Sequence, residues 1–185
     1  MTLLWIAAIA LGVGALLALV LKENEHRAWV AIGSQTLATG LVLAGVLPVL
    51  LGGGDLRSSV AWSFPIDLIA VHLDPLSAFF LAWSLPLTLL GTVYALGYLR
   101  PWFATRNAGV QFALLNVTAL SFLMIYTLES AFAFLLGWEI AAVAAWLLVV
   151  WDYRNQKVRF AGFNYLVSTH IGLFFLLAAF MVMHS

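Results

Sequence analysis

The sequence predicts an all-α integral membrane protein of six transmembrane helices, with both termini on the outer (periplasmic) side. Composition is the first reason. Of the 185 residues, 64% are hydrophobic and only 9% are charged, at a mean hydropathy of +1.06. A soluble domain carries about 25% charged residues. One core cannot hide that much apolar surface, so lipid has to act as the solvent. The second reason is that six runs reach the roughly 20 apolar residues a bilayer span needs. The third is that the basic residues alternate from loop to loop.

The spans follow in order. The first covers about 3–21 and ends at the charged "KENEHR". The second, 29–51, ends at "GGGD". A polar-leaning outer loop, 52–75, precedes the third span, 76–99, which ends at "RPWFATRN". The fourth, 109–128, and the fifth, 131–151, are separated only by the tight "LES". After "DYRNQKVR" the sixth runs over 160–183. Residues 1–185 thus form a single membrane domain. The first run has no basic segment before it and is long for a signal peptide, so it reads as a retained span.

Orientation follows from the loops. Lys22 and Arg27 fall in the first, Arg100 and Arg106 in the third, and Arg154, Lys157 and Arg159 in the fifth. Only Arg57 falls in an even-numbered loop. Basic loops stay cytoplasmic, which puts both ends of the chain outside. Within 52–75, "SSVAWSF" and "LIAVHL" could pair as a short outer β-hairpin. Asp74 is placed to cap the third helix, and Pro75 suits its first turn, where a missing N–H costs nothing.

Several function classes are excluded. Eight basic residues balance eight acidic ones, and no field favours nucleic acid. There is no cysteine, hence no disulfide, thiolate metal site or cysteine-held cluster. His26, His72, His170 and His184 are scattered without metal-ligand spacing. No cofactor motif is present. Ser168 and His170 point to different helix faces, and no paired intramembrane aspartate exists, so the chain shows no catalytic site of its own.

Polar residues inside spans should face other helices. Ser77, Ser84, Thr88, Gly91 and Ala95 share a face of the third span, which Pro86 is expected to kink. Ala161, Asn164, Ser168 and Gly172 share one of the sixth, Gln111 and Thr118 one of the fourth, and Gly137, Ala141 and Ala145 form a ridge on the fifth. These read as packing stripes. Glu139 is different. It sits mid-span, away from the ridge, on a face with Leu135, Ala142 and Trp146, none of which can pair with a carboxylate. An acidic charge there costs about 2.5–3.5 kcal/mol on insertion scales, and intramembrane ionisable residues mark ion and proton routes. No lysine or arginine lies inside any span, so a cationic partner for Glu139 is expected from another chain. His170, in the sixth span, is the second titratable group at depth. It can shuttle a proton or simply bond a neighbouring helix. Glu129 reads as a solvated residue of the fourth–fifth turn.

At this point the stretches "HLDPLSAFFLAW", "VYALGYLR", "YTLESAFAFLLGWEIAAVAAWLLV" and "VRFAGFNYLVSTHIGLFFLLA" resemble the N-terminal part of the large antiporter-like subunits. Respiratory complex I, energy-converting hydrogenases and multi-subunit sodium/proton antiporters share that family. "THIG" is closest to the formate-hydrogenlyase branch. The resemblance implies a proton-translocating subunit, or part of one, of a redox-driven complex in a bacterial or archaeal inner membrane. Glu139 would be its proton-channel glutamate, and His170 remains a second candidate for proton translocation on its own chemistry. The family's partner lysine and broken helices are not in this sequence, which would be a fragment, a split-gene product or a reduced subunit, with other membrane subunits as partners, among them a chain supplying the C-terminal half. Redox cofactors would sit in those partners. The alternative is a scaffold that braces such a complex and moves no ions.

Overall fold

A computed structural model of the chain describes residues 1–61 and 68–184. Six long helices dominate it: α1 (Thr2–Val20), α2 (Asn24–Leu50), α3 (Pro75–Leu99), α4 (Gly109–Thr127), α5 (Ala131–Val149) and α6 (Gln156–His184). All six are long and apolar enough to cross a bilayer. Between α2 and α3 two strands, β1 (Leu56–Ala61) and β2 (Leu68–Leu73), pair antiparallel, with Arg57 opposite His72. The connection from Trp62 to Asp67, and with it the "WSF" end of the sequence's first hairpin stretch, lies outside the described residues.

Helices α1 to α4 form a bundle in which α4 touches the other three, α5 packs on α4, and α6 packs on α5. In lipid no hydrophobic force drives helices together, so close packing of small residues has to do it. Gly14 shows how. A Cβ at that position would lie 2.8 Å from Asn116 Nδ2 and nearer still to Ser34, so only glycine lets α1 approach α2 and α4 this closely. Gly137 does the same for α5, where a Cβ would meet Met124 Cβ at 3.1 Å.

The bundle core is apolar at both ends and polar between. One cluster gathers Leu4, Leu11, Val42, Leu81, Leu85 and Leu123. The other gathers Ala18, Ala31, Leu99 and Phe112. Gly14, Gln35, Thr92 and Asn116 fall between the two along their own helices. Asn116 Nδ2 donates to Ser34 Oγ at 3.1 Å, tying α4 to α2.

Two packing stripes read from sequence differ from the structure. On α3 the buried line is Ala78, Leu81, Leu85, Thr92 and Leu99, about one residue round the helix from Ser77–Ala95, and Gly91 is exposed. Branched side chains fill the bundle there, and the small residues lie on its shoulder. On α6, Ala161, Asn164, Ser168 and Gly172 are all exposed, because α6 meets α5 through Gly162, Leu166 and His170 on another face. Of its described residues only Gly162 is fully buried.

Candidate functional site

Glu139 projects from the middle of α5 toward α6. An uninterrupted run of helix formers and small residues puts it there, with Gly137 holding the opposite face against α4. His170, the central residue of α6, meets it. Its Nε2 lies 2.9 Å from Glu139 Oε1, and the two side chains are 38% and 33% exposed. The expectation that a cationic partner for Glu139 must come from another chain is therefore corrected, since His170 can carry a charge when protonated. The two titratable groups singled out in the sequence face each other across the α5–α6 contact.

The second ring nitrogen decides the chemistry. His170 Nδ1 lies 2.8 Å from the carbonyl oxygen of Leu166, one turn back. A carbonyl only accepts, so Nδ1 carries a hydrogen. Nε2 is then the nitrogen that gains and loses a proton, and it is the one aimed at Glu139. A single proton between Oε1 and Nε2 gives either a neutral acid beside a neutral imidazole or a carboxylate beside an imidazolium. Both forms are neutral as a unit, which limits the cost of holding the pair in a low-dielectric place.

A cavity of about 190 Å³ opens between α4, α5 and α6. Thr118, Tyr165 and Thr169 bring its polar groups, and Ala141 and Ala145 of the small-residue ridge keep it open. Thr169 adjoins His170 in sequence, and Trp138 adjoins Glu139.

The two ends of the bundle differ. At one end the first, third and fifth loops interlock. Asn24 donates through Nδ2 to the carbonyls of Phe103 and Arg106, both at 2.9 Å, and its Oδ1 accepts from the Ala108 N–H at 3.0 Å. Arg27 is buried and donates to Leu21 O, Asn24 Oδ1 and Asn107 Oδ1. Arg100 pairs with Glu25, and Arg106 with Asp152, each at 2.9 Å. At the other end, β2 pairs with the α4–α5 turn through Val71 and Leu128, and the Glu129 N–H donates to Ala70 O. His72 lies 3.1 Å from Asp55 and 3.4 Å from Glu129, so the turn glutamate is engaged as well as partly solvated. Asp74 caps α3 by accepting from the Ser77 N–H at 2.7 Å. Hydrogen bonds from Ser77, from its side chain first and its backbone second, hold the Asp74 carboxyl below the ordinary value.

Sequence reasoning found Gln111 but missed other buried polar side chains of the bundle, Gln35 and Asn116 among them. Gln35 is fully buried, and neither of its amide atoms, nor Thr39 Oγ1 one turn on, has a hydrogen-bond partner among the described residues. A lone glutamine in an apolar helix is the signal that could have found it, since buried amides are otherwise bonded.

Residues 129–185, which hold both members of the pair, match the family described as "NADH:quinone oxidoreductase/Mrp antiporter, TM". An uncharacterised protein of Mycobacterium tuberculosis, recorded from two strains, is 31% identical over 149 residues, covering 80% of this chain and 23% of the relative. Hydrogenase-4 component B of Escherichia coli is 25% identical over 134 residues, covering 72% of this chain and 20% of that protein. The chain spans less than a quarter of the length of these relatives. It is a multi-pass membrane protein whose residues 129–185 match an antiporter-like family and which is similar, over a longer stretch, to a hydrogenase component.

Proposed function

We propose that this chain is part of a proton-translocating subunit of a redox-driven membrane complex, with Glu139 and His170 as one proton station. The observation that carries the reading is the 2.9 Å contact between Glu139 Oε1 and His170 Nε2 at mid-helix, with Nδ1 held by Leu166. A proton arriving at Nε2 leaves an imidazolium beside a neutral acid, and one leaving Oε1 gives a carboxylate beside a neutral imidazole. A cation approaching from a neighbouring membrane subunit would favour the carboxylate and push the proton on. The exposed small and polar line of α6, Ala161 to Gly172, supports such a neighbour.

In this reading the bundle lies in a bacterial or archaeal inner membrane. The interlocked basic loops face the cytoplasm. Both termini and the β1–β2 pair face outward, with residues 1–185 as one membrane domain. The test is proton uptake into vesicles carrying the complete complex, with a pH-sensitive dye inside. Glu139→Gln keeps the shape of the side chain and should preserve assembly while reducing translocation to background. Translocation at the unmodified rate would leave the pair as a brace between α5 and α6, and the chain as a scaffold.

A further inference from the structure

The basic end of the bundle holds a second site that the proton pair does not use. Between the third and fifth loops lies a cavity of about 440 Å³, with Trp102, Arg106, Trp151 and Arg154 in its walls. Arg106 is fixed there. Its Nη2 donates to Asp152 Oδ1 at 2.9 Å, and its guanidinium lies 5.0 Å from the centre of the Trp102 ring and 5.9 Å from that of Trp151. Asp152 offsets the Arg106 charge. Arg154 is left over: it is exposed, lines the cavity, and has no hydrogen bond or ion pair among the described residues. A second cavity, of about 330 Å³, shares Trp151 and Asp152 with the first. It is mainly apolar and runs toward mid-bundle over α4, between Ala95 and Leu99 of α3 and Leu148 of α5, with Leu115 as its floor.

A net-positive compartment at the helix ends thus lies against a mainly apolar groove, the two sharing Trp151 and Asp152 in their walls. Tryptophan and tyrosine favour the level where headgroups begin, and basic pockets between helices attract anionic headgroups. We propose that the two compartments together hold one anionic phospholipid, its phosphate between Arg106 and Arg154 and an acyl chain in the groove over α4. A molecule with a charged head and an apolar tail fits both halves, and a free anion fits only the first.

Native mass spectrometry of the full chain, released from micelles carrying phosphatidylglycerol or phosphatidylcholine, tests this. Phosphatidylglycerol should be retained in preference. Arg154→Gln should cut that preference about fivefold, the effect of one basic residue near an anionic lipid. Ala95→Phe, which fills the groove, should also release the lipid, with circular dichroism reporting an unchanged helix content in both variants. Inorganic phosphate should compete in neither. Equal retention of the two lipids, a preference unmoved by Arg154→Gln, or displacement by inorganic phosphate alone would overturn the proposal.

Discussion

His170 Nε2 lies 2.9 Å from Glu139 Oε1, while the opposite ring nitrogen is anchored to the Leu166 carbonyl. This relationship joins α5 to α6 and sets which atoms would exchange a proton in the proposed station. It also has an energetic signature. Glu139→Leu and His170→Leu should each destabilise the α5–α6 contact, since each strands the other polar group. The double substitution should cost less than their sum. A double-mutant cycle on thermal unfolding should give a coupling of about 0.6 kcal/mol and at most about 1.7 kcal/mol, as such cycles give for interhelical polar bonds in bilayers. Strict additivity would contradict the pairing.

Asn24 ties the first loop to the third with one side chain. Asn24→Ala leaves the Ala108 N–H and the carbonyls of Phe103 and Arg106 without it. The expected loss is about 1–3 kcal/mol, the cost of stranding partly buried polar groups. Chemical unfolding in detergent measures it. A loss below a few tenths of a kcal/mol would mean that water replaces the amide.

How much of this was legible in the sequence depends on whether a feature is local. The six helices were, because hydropathy over 20 residues is a property of the run itself. The Asp74–Pro75 start of α3 was, because a cap acts within one turn. Glu139 stood out as a carboxylate in an apolar run. Its contact with His170 did not, because a helix wheel says nothing of how a neighbouring helix is rotated or how high it sits. The α3 stripe was misplaced for a related reason. Small residues mark faces that can pack, but Leu81 and Leu85 decide the face that does. Asn24 and Arg27 were hidden in "KENEHR", a charged stretch that reads as a solvated loop and is in fact the start of α2.

Asp74 gives a pH dependence. Its folded carboxyl is held below the ordinary 3.8 by hydrogen bonds from Ser77. The cap therefore stabilises fully above that value, and the contribution is lost as pH falls through the folded pKa. Asp74→Ala should cost about 1 kcal/mol at neutral pH. The difference from the unmodified chain should shrink under acid. A difference that grew as pH fell would reverse the sign and contradict the cap.

The proposed topology is tested at residues on opposite ends of the bundle. The chain has no natural cysteine, so Arg57→Cys and Arg154→Cys each introduce a single thiol. A membrane-impermeant maleimide added outside intact cells should label position 57 and not 154. Labelling of 154 alone would invert the orientation, and labelling of both from one side would break it.

Nitrogen-15 magnetic resonance of His170 in lipid bilayers at neutral pH reaches the central claim most directly. The account predicts a protonated Nδ1 whose signal stays fixed in the Glu139→Gln variant, because Leu166 is its partner. It predicts an Nε2 whose signal moves in that variant, because Glu139 shares its proton. An Nε2 signal indifferent to Glu139→Gln would show that no proton passes between the two residues.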